Sequence, residues 1–89
     1  MDELAKVDRW MVALRGRLDL DGLEDPDMTD LLDTVRAVAH QVLHAGAPVA
    51  AFAAGYAVAR ADGSAAATAR VLAEIRDLAD ETGETGQRP

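Results

Sequence analysis

Apolar residues recur along this chain at helical spacing in four stretches separated by Gly, Pro and Asp. In residues 2–18, Leu4, Val7, Met11, Leu14 and Leu18 alternate steps of three and four. That is one stripe of an amphipathic helix, with Lys6, Asp8, Arg9, Arg15 and Arg17 off it. Trp10 borders the stripe, and its size suits it to covering one end of the core. Residues 19–27 are too rich in Asp, Gly and Pro to continue a helix, while Leu20 and Leu23 are placed to pin the connection to the core. Pro26 with Asp27 or Thr29 marks the next helix start.

The second stretch, 28–45, carries Met28, Leu31, Leu32, Val35, Val38, Ala39 and Val42 on one face and ends at Gly46. Asp30 and Asp33 fall near its N-terminus, where the helix dipole favours acid. The third, 48–61, opens on Pro48, a residue suited to a first turn. It is apolar nearly all the way round, which predicts burial within the domain or against a partner. Ala51, Gly55 and Ala59 form a small-residue ridge there, suited to close approach by another backbone. Asp62-Gly63-Ser64 reads as a turn and an N-cap. The fourth helix, 65–82, shows Thr68, Val71, Leu72, Ile75, Leu78 and Ala79 on one face and stops at Gly83. The expected architecture is all-α: a single domain over 1–83 forming a compact four-helix bundle, regular or irregular, followed by a disordered tail over 84–89.

Composition agrees with helices, since the apolar stock is mainly Ala, Leu and Val with Trp10, Phe52 and Tyr56 as the aromatics. An 89-residue chain has a modest core and little room for catalytic machinery. The absence of cysteine excludes disulfides, thiolate nucleophiles and Cys-ligated zinc. The acidic start (Asp2, Glu3) does not have the order of a signal peptide, and no apolar run is long enough for a span, so a cytoplasmic location is expected. A net charge of −7 argues against nucleic-acid binding. Asp19, Asp21, Glu24, Asp25, Asp27 and Asp30 fall in one stretch without an intervening base. Two readings stand for it: a solvated linker, or a docking patch for a basic partner.

Candidate chemistry is concentrated on the second helix. Asp33, Arg36, His40 and His44 step by three, four and four, a polar stripe opposite the apolar face. It can be a solvated face with local pairs, or an anion- or carboxylate-binding strip built on Arg36 with His40. His40 and His44 also have the spacing of two helical metal ligands, but no Glu stands between them as in His-Glu-x-x-His and a third ligand must come from another helix. The expectation is no native metal and no cofactor. General-base work by His40 would require a nucleophile or pocket that the sequence does not show. Asp19-Leu20-Asp21-Gly22 fails as a calcium loop, because its Gly comes early and no closing Glu follows.

Residues 30–63 resemble a small bacterial family of unknown biochemical function. Its members share an opening helix with a Trp, an Asp-Leu-Leu-Asp segment leading to Arg-x-Val-Ala-His, an Ala-Pro break, and a small-residue apolar helix ending near Gly. Here those elements are Trp10, Asp30 to Asp33, Arg36 to His40, Ala47-Pro48, and Phe52 to Gly63. His44-Ala45 stands where many members carry Arg-Pro. Such domains occur alone or fused behind nucleotidyltransferases of the molybdenum-cofactor guanylyltransferase type. The resemblance thus implies a non-enzymatic accessory module near molybdopterin guanine dinucleotide synthesis, with such a transferase as protein partner. Two alternatives remain open: a small-ligand or metal-binding bundle using the second-helix stripe, and a homo-oligomerisation module.

Overall fold

The computed structural model describes residues 3–84. It contains four helices: α1 (Glu3–Leu18), α2 (Met28–Gln41), α3 (Gly46–Ala61) and α4 (Ala65–Glu84). The domain is about 18 Å along its shortest axis, close to two helix diameters. α2, α3 and α4 pack against one another pairwise, α2 with α4 most extensively. α1 buries no residue completely and lies across the other three as the least anchored element. The four-helix expectation holds, in its irregular form: three packed helices and one loosely applied.

Local chemistry explains most boundaries. Asp27 is the N-cap of α2, accepting from the Asp30 amide at 3.1 Å. Ser64 caps α4 in the same way, its Oγ accepting from the Ala67 amide at 3.0 Å. The Ser64 hydroxyl and amide also hold the Asp62 carboxyl below its ordinary pKa, with Arg70 adding a smaller attraction. A carboxyl depressed this way favours the fold at neutral pH, and that contribution is lost as the pH falls through the depressed value.

Three boundaries differ from the pattern. α2 ends at Gln41 and not at residue 45, because the Val42 and Leu43 amides both turn back to the Val38 carbonyl, at 2.9 and 3.2 Å. α3 therefore begins at Gly46, before Pro48. The Gly46 and Ala47 amides are satisfied by the Leu43 and His44 carbonyls, and Pro48 brings no N–H needing a partner. Gly46 sits in a tight place, since a Cβ there would lie 3.3 Å from Val38 Cγ1. Gly83 does not stop α4, which runs to Glu84. A Cβ at Gly83 would meet the Gln41 carboxamide, the movable end of a flexible side chain, so the ends of α2 and α4 lie close together here. Of the tail expected over 84–89, Glu84 is helical and the remainder lies outside the described residues.

The core is thin. Its buried apolar side chains are Val38, Ala54, Val58, Ala67, Leu72 and Ala79, half of them alanine. Beside them a polar lock joins α2 to α4. Arg76 donates to Asp30 Oδ1 at 2.5 Å and to Thr34 Oγ1 at 2.6 Å, while Thr34 donates to the Asp30 carbonyl at 2.8 Å. Thr34 is 1% exposed and every polar atom buried there is satisfied.

The acidic connection is folded and used internally. Arg15 binds Asp25 at 2.7 Å and donates to the Leu23 carbonyl at 2.5 Å. Glu24 donates its amide to the Gly63 carbonyl at 2.7 Å and accepts from the Ala65 amide through its carboxylate at 2.6 Å. Its negative charge thus meets the N-terminus of α4, where the helix dipole favours it. With Asp27 capping α2 and Asp30 on Arg76, this stretch is neither an idle linker nor one open patch.

Within the domain, α3 is buried on one side only. Ala54 and Val58 are its buried residues, while Val49, Phe52 and Tyr56 are 68, 85 and 65% exposed. The ridge of Ala51, Gly55 and Ala59 receives no close neighbour, and nothing stands within 4 Å of where a Gly55 Cβ would sit. The apolar circumference of α3 exceeds the surface that a core of three packed helices can cover.

The glycines are separable by experiment. Gly63 adopts φ +72°, and its Cβ would strike the Gly22 carbonyl backbone. Gly63→Ala should lower unfolding free energy by about 2 kcal/mol or more in urea titration. Gly55→Ala should raise it by about 0.4–1 kcal/mol, through the reduced entropy of the unfolded chain. For the lock, a double-mutant cycle of Arg76→Met with Thr34→Val should give a coupling of about 1 kcal/mol. A coupling indistinguishable from zero would show that the two helices are held by apolar packing alone.

Candidate functional site

The polar stripe on α2 is divided by the early end of that helix. Asp33 and Arg36 form an i, i+3 ion pair at 3.0 Å, both well exposed. They stand at the edge of a shallow recess shared with Glu3, Leu4, Val7, Thr29 and Leu32. His40 is exposed near the end of α2, whereas His44 is exposed in the turn before α3. The two histidines therefore do not share a continuous helix, and the i, i+4 geometry expected for them is absent. Among the described residues, no group of three or more His, Asp or Glu is arranged to hold a metal ion. An exposed ion pair of this kind contributes about 0.3–0.5 kcal/mol at most.

The larger feature is apolar. Val49, Phe52 and Tyr56 lie at i, i+3 and i+7, so they share one face of α3. That face is opposite the buried Ala54 and Val58, which makes the outside of this helix bulkier and more apolar than its inside. Arg60, one turn beyond Tyr56, sits over its ring at 5.6 Å, within cation–π range. Beside this face runs a groove between α3 and α4. Ala53, Ala57, Val71, Ile75 and Leu78 form its floor, and Leu78 is 64% exposed. Glu74, Asp77 and Glu81, also at i, i+3 and i+7, line its α4 side. Exposed apolar surface bordered by charge is what interaction sites present.

A second apolar feature lies on the other side of α3. A cavity of about 320 Å³, partly open to solvent, separates α1 from the three packed helices. Trp10, Met11 and Leu14 approach it from α1, Leu31 and Leu32 from α2, and Ala54, Gly55 and Val58 from α3. The lining contains no titratable side chain, and Thr68 and Trp10 are its residues with polar side-chain atoms. Being partly open, this space is not a sealed void within the core. Trp10 accordingly does not cap a filled core: it stands 63% exposed on the rim.

The all-apolar character of α3 offered burial within the domain or against a partner, but not which of its faces would be left outside. One signal was present. The large side chains of α3 gather on one face and the small ones on the other, and two packed neighbours prefer the small side for close approach. Arg76 was also overlooked, since a lone arginine on a helix carries no mark of a partner 46 residues away.

No curated protein and no solved structure matches the chain. A family does match, over residues 2–87: the chain belongs to the domain of unknown function DUF6457.

Proposed function

We propose that this domain is a non-enzymatic interaction module that docks a basic amphipathic helix of a partner protein against α3 and α4. The carrying observation is the outward face of α3, where Phe52 is 85% exposed beside Val49 and Tyr56. A domain with so thin a core leaves its largest aromatics outside at a loss of stability unless another surface covers them. The carboxylates of Glu74, Asp77 and Glu81 along the adjoining groove favour Lys or Arg on the flank of the incoming helix. Helix-in-groove recognition needs no nucleophile, base or metal. The exposed His40 and His44 and the uncharged cavity give a reaction no enclosed titratable group. Among the described residues no helix is long and apolar enough to cross a membrane.

The resemblance of residues 30–63 supports a finer reading, in which the partner is a molybdenum-cofactor guanylyltransferase-like protein and the module acts as its accessory. A second copy of this chain is the competing occupant, and it is recognised by melting and elution that depend on concentration.

The docking test uses a labelled helical peptide with Leu at i, i+3, i+4 and i+7 and Lys or Arg on the flanks. Binding followed by anisotropy should be saturable and weaken as salt rises. Substituting Glu for the basic residues should abolish it. Phe52→Ser with Tyr56→Ser should weaken binding at least tenfold, about 1.4 kcal/mol, while the melting temperature stays within a few degrees. Arg36→Ala with His40→Ala should leave it intact. Peptide binding lost with the second pair and kept with the first would move the recognition surface to the α2 stripe.

A further inference from the structure

We propose that the cavity between α1 and the three packed helices binds a small, neutral, hydrocarbon-rich molecule, and that Gly55 keeps the space open for it. An apolar cavity of about 150 Å³ is enough to hold benzene. At about 320 Å³ this one is roughly twice as large and enters the range of small-molecule sites. A medium-length alkyl chain and a bicyclic ring are the corresponding shapes.

The lining sets the chemistry. Inside it an ionised ligand group would meet no counter-charge, and burying such a group unpaired is strongly unfavourable. The walls are almost wholly apolar, so a polar group on the ligand is best accommodated at the open side. Selection therefore favours an alcohol or a hydrocarbon over a carboxylate of the same chain.

Gly55 bears on the same space. Glycine inside a helix is unfavourable relative to alanine, and its usual compensation is close approach by another backbone. Here nothing lies within 4 Å of the position its Cβ would take, and the residue lines the cavity. Absence of a side chain at this point preserves volume. The wall facing it is α1, which has no fully buried residue and can shift to admit a ligand more readily than the packed helices.

The site uses Ala54, Gly55 and Val58, opposite the Val49–Phe52–Tyr56 face, so it does not depend on the docking reading and can fail separately from it. Trp10 is the chain's sole tryptophan and stands on the rim, which supplies a direct reporter. The experiment adds 1-decanol, tetralin or decanoate to the whole protein, following Trp10 emission and thermal melting. A neutral probe should give a saturable blue shift with one-to-one stoichiometry and a higher melting temperature at saturation. 1-Decanol and tetralin together distinguish chain from ring, and decanoate should bind at least tenfold more weakly than 1-decanol. Gly55→Leu should fold and bind at least tenfold more weakly. Gly55→Ala, which perturbs the fold less, should bind more weakly than the parent, whereas Gly16→Ala, outside the lining, should leave binding unchanged. Absence of a saturable shift with both neutral probes overturns the proposal, as does full binding by both Gly55 variants or equal binding of decanoate. A shift that follows protein concentration and not probe overturns it too, because a second copy would then fill the space.

Discussion

The junction between Glu24 and Gly63 governs how the rest of the chain is arranged. The connection from α1 crosses the α3–α4 turn so closely that a Cβ at Gly63 has no room beside the Gly22 carbonyl. Two hydrogen bonds join the crossing: the Glu24 amide to the Gly63 carbonyl, and the Ala65 amide to the Glu24 carboxylate. Gly63 is itself the left-handed residue that ends α3, its amide closing on the Val58 carbonyl at 2.9 Å. One point thus terminates α3, caps α4 and anchors the acidic connection. Arg15 braces the same point from α1, gripping Leu23 and Asp25 on either side of Glu24. α1 is held in place mainly through this strap, which is why it spans the cavity without filling it.

The same economy appears in how apolar surface is distributed. α2 and α4 are joined by Arg76 on Asp30 and Thr34, a polar contact in a position where a larger protein would place leucine. α3 then meets them with its small side chains, since close packing of three helices favours alanine at the contacts. Its bulky residues are left outside. The two faces of one helix differ in kind: Ala54 and Val58 serve the fold, whereas Val49, Phe52 and Tyr56 lie outside it. Surface substitutions on α3 are therefore separable from folding, a separation seldom available in so small a domain.

Charge follows a related logic. The acidic excess is partly structural, with Glu24, Asp25, Asp27 and Asp30 each engaged by a helix terminus or an arginine. Glu74, Asp77 and Glu81 lie instead beside the α3–α4 groove. In the proposed docking a basic partner would meet the second group, while the first holds the chain together.

The sequence by itself determined the helices and most of their signals. Periods of three and four located α1, α2 and α4, and Asp27 and Ser64 marked their starts, because capping and amphipathicity act within a few residues. Tertiary structure decided what those local rules do not reach. Whether α2 ended at Gln41 depended on how the Val42 and Leu43 amides turned back to Val38 to bring in α3. That choice separated His40 from His44. Whether Gly83 stopped α4 depended on Gln41 arriving beside it, and Arg76 found its partners only once α4 lay along α2. The two faces of α3 are the clearest case. Their composition was legible, but which face is covered depends on where three other helices place their own surfaces, and no periodicity within one segment contains that information.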